Sequence, residues 1–133
     1  MIVDTSAWID LFRRKPTPAA ARLAMAMAMG EALFVIPCVL QEVLQGSRDD
    51  DAFRALDRRL REVPMLLVDD PTATARLAAE IYARSRWSGV TPRSPIDCLV
   101  AATAIAADLP LLHHDRDFEQ IARIDPRLTF VAL

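Results

Sequence analysis

The chain has 133 residues, 53% of them hydrophobic, which suits one domain hiding roughly two-thirds of its unfolded surface and excludes a disordered segment. No apolar run reaches the ~18 residues of a membrane span and no leader-like segment precedes the first strand; Cys38 and Cys98 lie in apolar settings that suit reduced thiols, so a cytoplasmic protein is expected. A net charge of −2 argues against nucleic acid, yet all but one of the 16 basic residues are arginine, the side chain that meets phosphate with paired donors.

In chain order, residues 2–4 read as a strand and 6–13 as a helix, with Arg13, Arg14 and Lys15 near its end, where the helix dipole favours cations. After Pro16 and Pro18, Ala19 to Met29 has strong helix composition and Gly30 stops it. Met25, Met27 and Met29 in that helix are read as filling an irregular core rather than as a surface for a partner. Leu33 to Ile36 is a second strand, closed by Pro37, and Val39 to Leu44 a helix that Gly46 ends. Asp49 to Glu62 is a polar helix with Phe53, Leu56, Leu60 and Val63 inward and Arg54, Arg58, Arg59 and Arg61 outward. Met65 to Val68 is a third strand, residues 72–86 a long helix opened by Asp70-Pro71, and Ile96 to Ala107 the most apolar helix, opened by Ser94-Pro95. Leu111-Leu112 is a fourth strand, Asp117 to Ile124 a short helix and Leu128 to Leu133 a terminal strand. Strand and helix by turns predict an α/β fold, a small and mainly parallel sheet covered on both faces, with no repeat or linker dividing residues 1–133.

Four carboxylates stand in unusual places. Asp4 ends the first strand, Glu42 interrupts an apolar helix, Asp97 lies in the first turn of the most apolar helix, and Asp115 follows the fourth strand. In a parallel sheet, strand ends and the starts of the following helices share one edge, where open α/β folds bind their ligands. Carboxylates gathered there repel one another unless a divalent cation joins them, and an all-oxygen donor set suits Mg²⁺ or Mn²⁺. Each acid also has a plainer reading. Asp4 can cap the helix that follows it, Asp97 can complete a capping box with Ser94, Glu42 can sit on a narrow polar face, and either Asp115 or Asp117 can cap the short helix. With the four acids set aside, the bases outnumber the acids that remain, which is compatible with a polyanion around an acidic pocket.

Val3-Asp4-Thr5-Ser6 with Trp8-Ile9, Glu42 after Pro37-Cys38-Val39-Leu40-Gln41, Ser94-Pro95-Ile96-Asp97, and Leu112-His113-His114-Asp115-Arg116-Asp117-Phe118 together resemble the motifs of the PIN-domain family, specifically its VapC-type ribonuclease toxins. The resemblance runs nearly end to end. It implies a three-layer α/β/α sandwich and an Mg²⁺-dependent endoribonuclease acting on tRNA or ribosomal RNA. It also implies a homodimer, and a cognate VapB-type antitoxin that blocks the site. Asp4, Glu42, Asp97 and Asp115 are carried over as the acidic quartet, Ser6 as a polar neighbour that holds a ligand water, and Asp117 as a supporting or alternative ligand.

The chemistry expected is in-line hydrolysis leaving 5′-phosphate and 3′-hydroxyl ends, with Glu42 either on a second ion or orienting the water. Arg84, Arg86 and Arg93, with Trp87 between them, are candidates for RNA contact, against the plainer reading of a solvated loop. His113 and His114 are read as surface or packing residues. A receiver-like phosphoacceptor domain normally needs a lysine near its last strands, and Lys15 is the sole lysine. A structure-specific DNA nuclease and a non-catalytic module on the same fold are the two readings that stand beside the ribonuclease.

Overall fold

The structure, a computed structural model, describes residues 1–133. Its elements are β1 (Ile2–Val3), α1 (Thr5–Phe12), α2 (Pro18–Met29), α3 (Pro37–Gln45), α4 (Asp50–Leu60), α5 (Pro71–Trp87), α6 (Pro95–Ala107), β2 (Leu111–Leu112) and α7 (Arg116–Ile124). Contacts divide the chain into two units, Met1–Leu67 with Leu112–His114 and Leu133, and Val68–Leu111 with Asp115–Ala132. No helix is long and apolar enough to cross a membrane.

In the first unit, β1 carries Ile2 and Val3, both fully buried, and the Asp4 N–H continues it by donating to the Leu112 carbonyl. Phe34 bridges Ile2 and Met65 bridges Val35, both in parallel. The second and third strands expected from the sequence are therefore present only as single bridges. Prolines explain the shortening: Pro37 opens α3 directly after Ile36, and Pro64 has no N–H to donate, so it only accepts, from the Val35 N–H.

Four helices pack in this unit, α1 against α2 and α3, and α3 against α4. Thr17 caps α2 by accepting from the Ala20 N–H, Pro18 sits in its first turn, and Gly30 ends it at φ +67, where a side chain would be strained. Its buried face is Ala19, Ala20, Leu23 and Ala26. That corrects the methionine expectation: small alanines and one leucine fill the packed face, and Met25, Met27 and Met29 are 51%, 44% and 70% exposed. In α4 the inward face is narrower than the pattern suggests. Leu60 is buried, but Phe53 is 42% exposed, and Arg59 stacks on Phe12 with its guanidinium 4.6 Å from the ring centroid.

In the second unit α5 packs on α6, and α7 on both. Thr74, Ala78, Ile81 and Ser85 give α5 a small buried face at helical spacing, matched by Val100, Ala101, Ala102 and Ala104 of α6. Ser94 caps α6 through the Ile96 N–H. Leu111 bridges Phe130 in parallel, the only ladder contact of the expected terminal strand, and Leu133 is 72% exposed.

Candidate metal centre

Asp4 is the N-cap of α1. Its Oδ2 accepts from the Ser6 N–H at 2.8 Å and from the Ser6 hydroxyl at 2.5 Å. Capping is therefore real at Asp4, but it is not the whole environment. The residue is 4% exposed, and burial pushes its carboxyl above the usual range; the Ser6 and Thr5 bonds oppose that shift, and the charge of Glu42 adds to it. No cationic side chain pairs with Asp4. Glu42 follows from α3, and its Oε2 accepts from the Thr5 hydroxyl at 2.7 Å. The chain thus holds two carboxylates together with neutral donors alone, a donor set that fits a hard divalent cation. Burial first, then the charges of Glu42 and Asp4, push the nearby Cys38 thiol up to about 11, so it stays protonated beside them. Both cysteines are free.

A second polar group stands behind Ser6. Asp10 of α1 is 4% exposed, and its carboxylate meets His114 Nδ1 at 2.6 Å, Thr17 Oγ1 at 3.1 Å and Lys15 Nζ at 3.2 Å. Burial alone would raise its pKa, but the bonds from His114, Lys15 and Thr17 outweigh that and hold it below the ordinary value. The His114 backbone N–H donates to Ser6 Oγ at 2.9 Å. Thr5, Asp10 and the His114 tie lie outside the acidic pattern that the sequence displays. A signal exists for Asp10, since an acid amid Trp8-Ile9 and Leu11-Phe12 is as anomalous as Glu42 in its own helix.

The other sequence-derived acids belong to the second unit. Asp115, rather than Asp117, caps α7: its Oδ1 accepts from the Asp117 N–H at 3.0 Å. Arg93 bridges both acids, Nη2 to Asp115 Oδ1 at 2.5 Å and Nε to Asp117 Oδ2 at 2.9 Å, with its backbone N–H also on Asp117. Asp97 is half-buried in the first turn of α6. Burial first, then the charges of Asp97 and Asp117, push the Cys98 thiol up to about 11. Neither unit by itself gathers three or more His, Cys, Asp or Glu side chains into a metal cluster. The quartet read from the sequence is accordingly seen as Asp4 with Glu42 in one unit, and Asp97 and Asp115 in the other.

Of the candidate RNA contacts, Arg84 is engaged by the Ile124 carbonyl and Glu80, and Arg93 by Asp115 and Asp117. Arg86 is exposed, and Trp87 is 74% exposed rather than tucked into a core.

Parallel bridges, a capped helix directly after β1 and an acid at that junction define an α/β fold with a carboxylate at a strand end, the edge where open α/β folds bind their ligands. Residues 1–124 match the family model described as the PIN domain. Ribonuclease VapC11 of Mycobacterium tuberculosis is 39% identical over 126 residues, 93% of this chain and 92% of that protein. Ribonuclease VapC28 of the same organism is 37% identical over 123 residues, 89% and 91% of the two. Among solved structures, DNA-bound VapBC from Salmonella typhimurium superposes with a TM-score of 0.74 at 20% identity, covering 98% of this chain and 95% of that one. VapBC2 from Rickettsia felis gives 0.73 at 20%, covering 98% and 96%. The chain belongs to the PIN-domain family, in its VapC-type branch.

Proposed function

We propose that this protein is an Mg²⁺-dependent endoribonuclease, the toxin of a toxin–antitoxin pair, hydrolysing tRNA or ribosomal RNA in the cytoplasm. The observation that carries the reading is the state of Asp4: a nearly inaccessible carboxylate beside Glu42 whose hydrogen-bond partners are all neutral, in a chain 39% identical to a ribonuclease along 93% of its length. Asp4 and Glu42 are the residues proposed to hold Mg²⁺, or Mn²⁺ in its place. When bound, such an ion activates water and neutralises charge on the phosphodiester oxygens.

The chain's own part is orientation. Ser6 fixes Asp4 by two bonds to one oxygen, and Thr5 fixes Glu42. Asp97 and Asp115 are the further carboxylates of the proposed machinery, each tested by its own Asn substitution. Arg86 and Trp87 are proposed to meet the RNA backbone and a base, because no ion pair engages the Arg86 guanidinium and the Trp87 ring lies open.

The proposed partner is a VapB-type antitoxin. A groove of about 470 Å³ in the first unit, lined by Ile9, Phe12, Val43 and Leu56 and rimmed by Arg13 and Arg48, suits an apolar antitoxin segment carrying acids. A homodimer is the proposed assembly.

The test is incubation of the purified chain with tRNA, ribosomal RNA and single-stranded DNA, in Mg²⁺ and in EDTA. RNA cut in Mg²⁺ alone is the expected result. Equal cutting in EDTA removes the metal from the mechanism, and equal cutting of DNA removes the ribonuclease assignment.

A further inference from the structure

We infer that Asp10 and His114 act together as positioning residues for Asp4, through an oriented chain of hydrogen bonds that ends on the Asp4 carboxylate. The inference rests on the reading of Asp4 as a cation ligand.

The direction of the chain follows from donor chemistry. A backbone N–H only donates, so at 2.9 Å from Ser6 Oγ the His114 amide occupies a lone pair of that hydroxyl. The single hydroxyl proton of Ser6 is then free to go to Asp4 Oδ2, 2.5 Å away, and the Ser6 N–H reaches the same oxygen. Two donors from one residue on one oxygen fix the carboxylate plane. The arrangement needs the His114 amide to stay in place, although the His114 side chain is 53% exposed and the segment after β2 has no helix or ladder of its own.

Asp10 supplies that anchor. It is buried in α1, and its Oδ2 holds His114 Nδ1 at 2.6 Å across 104 residues of sequence. Thr17 and Lys15 bond the same carboxylate, so its own position is set from the turn after α1. A buried acid in an apolar helix costs stability unless it is fully bonded, and here the bonding is spent on the segment that touches Ser6. Groups that orient a metal ligand in this indirect way typically change metal affinity 10–100-fold when removed, as a general order of magnitude.

Mn²⁺ titration of the full chain, read by electron paramagnetic resonance of the free ion, tests this alongside RNA cleavage. His114→Ala and Asp10→Ala, which remove the two ends of the tie, are expected to weaken Mn²⁺ binding about ten-fold and to lower kcat with KM unchanged. His114→Asn, whose Nδ2 stands where the imidazole Nδ1 stands, is expected to restore both, and His114→Gln is not. His114→Ala removes an exposed side chain, so it carries the test if Asp10→Ala does not fold. Asp125→Asn, which breaks an ion pair in the second unit, is the control for lost stability alone and is expected to leave Mn²⁺ affinity unchanged. Wild-type affinity and kcat in His114→Ala overturn the inference, as does an Asp125→Asn loss equal to that of His114→Ala. A wild-type chain that binds Mn²⁺ but cuts no RNA rejects the nuclease reading, and the Mn²⁺ affinities still decide the positioning role. A wild-type chain that binds no Mn²⁺ overturns the inference.

Discussion

Thr5 reaches Glu42 across 37 residues of sequence, its hydroxyl donating to Oε2 at 2.7 Å, and so ties the first residue of α1 to α3. Thr5→Val removes the donor at nearly constant shape. The expected cost is about 1 kcal/mol of stability, read by urea unfolding, together with a lower cleavage rate as Glu42 loses its fixed orientation. Glu42→Gln keeps an acceptor for Thr5 but removes the charge, so it is expected to fold as well as wild type and to cut RNA at least 100-fold more slowly, as an order of magnitude. A Glu42→Gln enzyme of normal rate would show that Glu42 only builds the helix junction.

Asp4 makes stability depend on pH in an unusual sense. Burial raises its folded-state pKa, so the native chain binds that proton more tightly than the unfolded chain does. The contribution is full below the unfolded value of about 3.9 and is lost as pH rises through the folded value. Asparagine caps a helix as well as aspartate does. In EDTA, Asp4→Asn is therefore expected to melt above wild type at pH 7, with the gap closing towards pH 3. Differential scanning calorimetry at both pH values checks the sign, and a lower Tm for the variant at pH 7 would contradict it.

Asp125 behaves in the opposite way. It is 3% exposed and meets Arg127 edge to edge, with Nε at 2.9 Å from Oδ1 and Nη2 at 2.6 Å from Oδ2. The Arg127 bonds, against the cost of burial, hold its carboxyl below the usual range. That stability is present above the unfolded value and is lost as pH falls through the folded one. Arg127→Ala is expected to lower stability at pH 7, by less than breaking a fully buried pair would, because the Arg127 side chain is 63% exposed and solvent screens it. Acid unfolding followed by circular dichroism should show the wild-type advantage shrinking below about pH 4. An advantage independent of pH would place the effect in packing instead.

All seven helices were legible because apolar spacing, proline at the first turn and side-chain caps agree locally, as at Thr17-Pro18, Asp70-Pro71 and Ser94-Pro95. Strand length was not legible. Leu33–Ile36 and Met65–Val68 have strand composition, but how many ladder bonds form depends on the neighbour, and Pro64 removes one donor at the pairing edge. Glu42 stood out as a lone acid among Val39, Leu40, Val43 and Leu44, and the structure seats it on Thr5. Arg93 was legible as a cation near the Asp97 helix, but its partners, 22 and 24 residues away, come from tertiary placement that spacing cannot encode. The same holds for His114 and Asp10.

Arg86 and Arg93 should separate in RNA binding. In a non-cleaving Asp4→Asn background, Arg86→Ala is expected to weaken binding several-fold and to reduce the salt slope by about one. Arg93→Ala is expected to do less, since its guanidinium already serves Asp115 and Asp117. Trp87→Ala should cost about 1–3 kcal/mol of binding if a base stacks there. Filter binding across salt concentrations measures all three, and an Arg93→Ala slope change larger than that of Arg86→Ala would reverse the assignment.

The most direct measurement is cleavage of RNA by Asp4→Asn beside wild type in Mg²⁺, with both shown to be folded by their melting curves. Loss of cutting in a variant at least as stable as wild type is expected if Asp4 holds the cation. Wild-type cutting by Asp4→Asn would contradict a metal centre at Asp4 and leave its carboxylate as a helix cap.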